Sequence, residues 1–411
     1  MTASGDLSSR IAAKKTTVPL DTTATLSVKS THAPKTITQE PKFAVKETYT
    51  LVGAVNAPVV DGATLGATGV TIRGDYAFVS YNAPGATAKG AVQIIQFDSN
   101  GTPTVISEVL FKSRDVNAIT VCGNDLYLAL ASPDLANAES PLTFGTGATK
   151  GAALGKVTLD SQKKFSSSNM TEVILESYAA NSIRCSDTEV IATDGNTGGL
   201  SVLDRNLATR TSKKTFSDAR SADFYGASSY AAFYGGTGGQ TAAISVVKSG
   251  AVSSTLTTNG ATIAESKSVV EVTGDMAVVA LNDGGVKMAN LSTGATIFSL
   301  AAPSVSGLSA SVTVSNSVSA CKDLLYIANG EAGVYVGKMD KKIDQTPTSI
   351  TVLGRLDMGL KESANDIKCS NDKVFVAAGT GGFKILTVKN TDYDAEIQPE
   401  KKTDESSTDK N

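Results

Sequence analysis

Along most of the chain, short patches of alternating apolar and polar residues are cut by turn formers at regular distances. YAFVS, LYLALA and YIANG have the period of half-buried strands, and GD, ND and KD pairs lie between such patches. One grammar recurs: a polar residue, an apolar pair, a turn, an apolar strand, a glycine turn and a further apolar strand. Its clearest copies read NAITVCGNDLYLALA from Asn117, NSIRCSDTEVIATDGNTGGLSVLD from Asn181, NSVSACKDLLYIANGEAGVYV from Asn316 and NDIKCSNDKVFVAAGTGGFKIL from Asn365. Weaker copies start at Thr68, Arg220 and Ser268. Successive starts lie 49, 64, 39, 48, 48 and 49 residues apart, close to the length of one β-propeller blade.

Each copy predicts strands a and b as a hairpin, then a glycine-rich turn (GNTGG at 195–199, NDGG at 282–285, GTGG at 379–382) leading to strand c. A fourth strand d follows, as in TVISEVLF at 104–111, TEVILESY at 171–178 and ITVLGRLD at 350–357. The last copy lacks one. YTLVGAV at 49–55, upstream of the first copy, matches that missing strand in pattern. The chain therefore reads as an all-β, seven-bladed propeller of four-stranded blades over residues 46–390, its last blade closed by an N-terminal strand. An open β-solenoid is the alternative. Residues 1–45, rich in Ser, Thr and Lys, read as a flexible leader or tether, and residues 391–411 as a disordered charged tail.

The Asn, apolar strand, GND or GD turn and GG-led final strand (GGLSVLD, GGVKMAN, GGFKILTV) resemble the LVIVD-repeat family of bacterial β-propellers, over residues 46–390. The resemblance implies a propeller that is exported or surface-associated, with no shared enzymatic activity and no catalytic residues to carry over. Charge and composition narrow the roles further. A net charge of −3 offers no basic footprint for nucleic acid. No run approaches the roughly 20 apolar residues of a membrane span. MTASGDLSSR lacks the basic and apolar regions of a signal peptide, and the expectation is a mature cell-envelope or extracellular chain, lipid-anchored upstream or not, with a cytoplasmic chain as the alternative.

Familiar chemistry is scarce. His32 is the one histidine and lies in the leader, so neither a Ser-His-Asp triad nor a His-ligated metal can form in the ring. Cys122, Cys185, Cys321 and Cys369 contain no CxxC pair, and as equivalent positions on separate blades they read as buried free thiols. The glycine-rich segments recur as strand connectors without GK[ST], which makes them turns rather than phosphate loops. No DxDxDG spacing marks calcium, so no metal or cofactor is expected.

Two features point to binding. The residues opening the inner strands, Thr68, Asn117, Asn181, Arg220, Ser268, Asn316 and Asn365, are all polar and are expected to ring one mouth of the channel. As turn devices they would bond their own d-to-a connections; as a site they would meet a ligand. Strand order puts the b-to-c turns on that same face, with Tyr81, Asn82, Asp194, Asn196, Tyr234, Asn282, Asp283, Asn329, Glu331 and Thr380. The long unit adds a b-to-c loop at 131–153 there. The expectation is a scaffold recognising a protein or polysaccharide through this face. The rival is an enzyme using Asp194, Asp283 or Glu331 on a small polar substrate.

Overall fold

A computed structural model describes residues 47–390, apart from 86, 133–141, 144–150, 166–169, 265–266 and 360–361, together with 2–3, 7, 10, 16–18, 20–21 and 28–29. Seven four-stranded sheets follow one another around an axis, six of them antiparallel meanders a-b-c-d in chain order and the seventh taking its strand d from the N-terminal side of the chain. The inner strands are Gly66–Arg73, Asp115–Cys122, Ala180–Cys185, Ala219–Gly226, Val270–Thr273, Ser317–Cys321 and Asp366–Ser370. These open blades 1 to 7. No helix among the described residues is long and apolar enough to cross a membrane.

Blade 2 shows why the alternating patches become strands. Its strand b, Asp125–Ala131, is covered on both faces: Leu126, Leu128 and Leu130 pack toward blade 1, and Tyr127 and Ala129 toward blade 3. All five are fully buried. Hence the run is apolar throughout, and each buried leucine contributes about 1.5–3 kcal/mol. Blade 7 closes as expected, with Glu47–Val55 pairing antiparallel to Phe383–Asn390, from Val55 opposite Phe383 to Glu47 opposite Asn390.

The cysteines are not free thiols. Cys122 bonds Cys185 and Cys321 bonds Cys369, joining blade 2 to blade 3 and blade 6 to blade 7. Inner strands converge on the axis, so these Cα atoms stand 6.1 and 6.0 Å apart, within disulfide reach. Their sequence separations of 63 and 48 residues are each one less than the step between copies, which marks a stagger of one residue between neighbouring inner strands.

Parts of the leader lie on the rim. Thr2–Ala3 pairs with strand d of blade 1, Thr16–Val18 with that of blade 7, Leu20–Asp21 with blade 6 and Val28–Lys29 with blade 5. Open outer edges accept such strands readily. These short pieces of the leader are held to outer blade edges by strand pairing. His32 and the 391–411 tail lie outside the described residues.

Candidate functional site

The inner edge of every strand a faces the axis without a strand partner, and side chains from the preceding blade cover it. Four of the seven ring residues owe their aim to a β-bulge: the a–b register skips Thr68, Asn117, Asn181 and Arg220. An unpaired bulge residue turns its side chain out of the ladder, here into the channel. Five of the ring residues then donate to the carbonyl just before the next blade's ring residue. Thr68 Oγ1 reaches Val116 O at 2.6 Å, Asn117 Nδ2 reaches Ala180 O at 3.1 Å and Asn181 Nδ2 reaches Ala219 O at 2.8 Å. Asn316 Nδ2 reaches Ala364 O at 3.2 Å, and Asn365 Nδ2 reaches Ala67 O at 2.9 Å.

One residue deeper, Ser182, Ser221 and Asp366 accept from the backbone N–H of Ala222, Val270 and Val70 at 3.2, 3.1 and 2.9 Å. Two residues below these, Asp223, Glu271 and Ser319 accept from Val272, Ala320 and Cys369 N–H at 2.9, 3.1 and 3.3 Å. The polar starts of the repeats thus staple blade to blade, and among the described residues only Asn365, which accepts from Ser363 Oγ at 2.7 Å, and Arg220, which donates to Asp218, also bond their own d-to-a connections. Each bond between blades adds about 0.5–1.5 kcal/mol.

Blades 4 and 5 depart from the rule. Arg220 donates from Nε and Nη2 to the Asp218 carboxylate at 3.1 and 3.0 Å, and from Nη1 to Ile263 O at 3.1 Å. Asp218 also accepts from Thr237 Oγ1 at 2.6 Å. Ser268 Oγ is buried with no hydrogen-bond partner, and Val269 stands where blades 3, 4, 6 and 7 carry Ser182, Ser221, Ser317 and Asp366. Lys267 compensates from the adjacent position. It crosses the channel and donates to the carbonyls of Thr68 and Asn117, with Asp366 Oδ2 4.0 Å away. Burial lowers the pKa of this ammonium. Burial alone would raise the Asp366 carboxyl, but Lys267, Lys368 and hydrogen bonds from Ser317 and Val70 hold it below the usual range.

A cavity of about 520 Å³ opens above Lys267 and is lined by all seven ring residues, with Asn82, Asp218, Lys267 and Glu331 among the others. The remaining expected site residues lie elsewhere. Asp194 is buried, accepting from Glu176, Ser177 and Gly199 N–H at 3.1, 3.2 and 3.0 Å, and burial together with the Glu176 charge raises its pKa to about 6. Its carboxylate ties a turn together. Asp283 accepts from the backbone N–H and hydroxyl of Thr262, and Asn196 is exposed on its turn outside the cavity. Of Asp194, Asp283 and Glu331, then, only Glu331 lines the mouth, and no catalytic set is assembled from them.

Tyr81 is not a surface residue: it is fully buried and donates to Gln93, which in turn donates to Glu108, the partner of Arg10. Tyr234 stacks on Phe216 at 4.2 Å, Asn282 and Asn329 are fully buried, and Thr380 is exposed. Most of the 131–153 loop lies outside the described residues, although Leu142–Thr143 pairs in parallel with Val173–Ile174 on the outer edge of blade 2.

Lys267 and Asp218 escaped the sequence reading because neither occupies a repeat position. The available signal was weak, since Val269 shares its lack of a polar side chain with Gly69 and Ala118 of blades 1 and 2. The fold is similar to the WD40 repeats of RRP9, at a TM-score of 0.52 and 12% identity over 81% of this chain and 98% of that one. It is also similar to U3-55K, at a TM-score of 0.50 and 13% identity over 81% and 98%. No family model and no curated protein matches the sequence, so these likenesses concern the fold alone.

Proposed function

We propose that this propeller is a non-enzymatic binding scaffold, working outside the cytoplasm, that recognises a partner through the face carrying the mouth and the b-to-c turns. The observation that carries the reading is the mouth itself: seven polar ring residues and Glu331 around one cavity, on blades tied by two disulfides. Rigid scaffolds with exposed turns on one face are the usual platform for recognition. Disulfides persist in oxidising compartments, and this agrees with the export implied by the LVIVD-repeat resemblance. Among the described residues no aromatic ring lines the cavity, and four charged side chains do, which favours a protein partner over a stacked sugar.

The reading is tested by immobilising the wild type, a mouth-face variant (Asn196→Arg with Thr380→Arg) and an opposite-face variant (Asp187→Arg with Asp275→Arg), and passing an envelope extract over each. Capture lost only with the mouth-face variant supports the proposal. Capture lost only with the opposite-face variant overturns it.

A further inference from the structure

We infer that the mouth cavity receives a primary ammonium group, presented by a lysine side chain of the partner protein; this rests on reading the mouth as the recognition face. The argument begins with what the cavity has left to offer. Its cations are already spent on protein oxygens: Arg220 on Asp218 and Ile263 O, Lys267 on the carbonyls of Thr68 and Asn117. An anion would find no cation there still facing it.

What remains is acceptors. Asn316, 4% exposed, must turn Nδ2 to a carbonyl because only the NH2 can donate, so its Oδ1 is left buried without a partner. Ser268 Oγ, 3% exposed, is likewise unpartnered. Both line the same cavity as Glu331, whose carboxylate makes no ion pair among the described residues. These three groups sit on blades 5 and 6. The Lys267 ammonium is turned to the carbonyls of blades 1 and 2, and Arg220 belongs to blade 4.

An ammonium brings three donors, no acceptor and one positive charge, which matches two neutral acceptors and one carboxylate on separate side chains. A guanidinium fork suits a bidentate carboxylate better than acceptors spread over two blades. A volume of about 520 Å³ falls within the range of small-ligand pockets. The propeller would so bind its partner through a lysine inserted at the axis, with the b-to-c turns meeting the surface around it.

The test titrates full-length protein with the peptide acetyl-Gly-Lys-Gly-amide, its Nε-acetyllysine counterpart, n-butylammonium chloride and glucose, following the Asn316 side-chain amide and the Ser268 and Glu331 backbone signals by NMR. Expected are saturable shifts with the lysine peptide, weaker binding of n-butylammonium and none with the acetylated peptide or glucose. Glu331→Gln should weaken the lysine peptide at least tenfold with an unchanged melting temperature, and Ser268→Ala a few-fold. Equal binding of the acetylated peptide or of glucose overturns the proposal, as does no shift at these residues. A peptide that binds no tighter than n-butylammonium assigns the site to free amines and overturns the lysine reading. If these titrations fail while extract capture still depends on Asn196 and Thr380, the ammonium proposal falls and the recognition face stands.

Discussion

Around the ring, the steps from blade 6 through 7, 1, 2 and 3 to blade 4 follow one rule, an amide or hydroxyl of one blade donating to the carbonyl before the next ring residue. The steps out of blades 4 and 5 do not. Arg220 turns to Asp218 and to Ile263 O, Ser268 bonds nothing, and Lys267 takes up the slack by reaching over the channel. In the regular arc polar side chains are consumed in holding blades together. In the irregular arc Ser268 is left over, and together with Asn316 Oδ1 and Glu331 of blade 6 it makes the cavity chemically unequal around its rim. Repeat symmetry stabilises, and its local failure leaves a polar group unspent beside the cavity.

The comparison can be broken most forcefully at the disulfides, which both lie in the regular arc. Replacing Cys321 and Cys369 by serine opens a crosslink of 48 residues' separation, a loss of about 4 kcal/mol in the chain-entropy account, read as a lower denaturant midpoint. An unchanged midpoint would mean that the blade 6–7 step holds without its clamp. Lys267→Met strikes the irregular arc, stripping two carbonyls of their donor and Asp366 of its nearest cation. A cost of about 3 kcal/mol is expected, with the Asp366 carboxyl titrating at higher pH by NMR. A variant as stable as the wild type would show that the lysine bridges nothing.

The sharpest contrast is between two single alanines. Asn365→Ala leaves Ala67 O without its donor and should cost about 1–2 kcal/mol in chemical denaturation, whereas Ser268→Ala, removing a hydroxyl that bonds nothing, should change stability by under about 0.5 kcal/mol. Equal costs would erase the distinction between the arcs.

The smallest effect is in pH. Burial raises Asp115 to about 6, and burial with Glu176 raises Asp194 to about 6, so the folded chain holds these protons more tightly than the unfolded one. Their stabilising contribution is complete below about pH 4 and is lost as pH rises through about 6. Asp115→Asn should flatten melting temperature against pH in that window, and an unaltered slope would remove Asp115 from it.

The blades are legible in the sequence because strand b is apolar on both faces, as in Leu126–Leu130, and because the last copy lacks a fourth strand that YTLVGAV supplies. The ring positions are legible too, since each inner strand opens on a polar residue. Their partners are not: a linear pattern shows that Asn181 is polar, but the carbonyl it meets belongs to the next copy, brought near only by closure. The same convergence hid the disulfides, although separations one residue short of a repeat step carried the signal. Among the b-to-c carboxylates Asp194 misleads, because a turn position does not by itself mean exposure, whereas Asp283 is exposed but turned to Thr262. Asp194 shows the difference, facing inward to three backbone N–H groups of its own blade's turns.

The register of blade 7 also decides how the molecule can be mounted. Val55 meets Phe383 at the mouth end, so Glu47 and Asn390, which face each other at the other end of the same pair, both leave the ring on the side away from the mouth. On the Asn390 side, whatever is joined grips one corner of the disc from behind, and a fusion or surface attachment there keeps the mouth pointing outward; the other flank returns to the mouth end, where Thr2 and Ala3 pair with Leu110 and Val109 of blade 1.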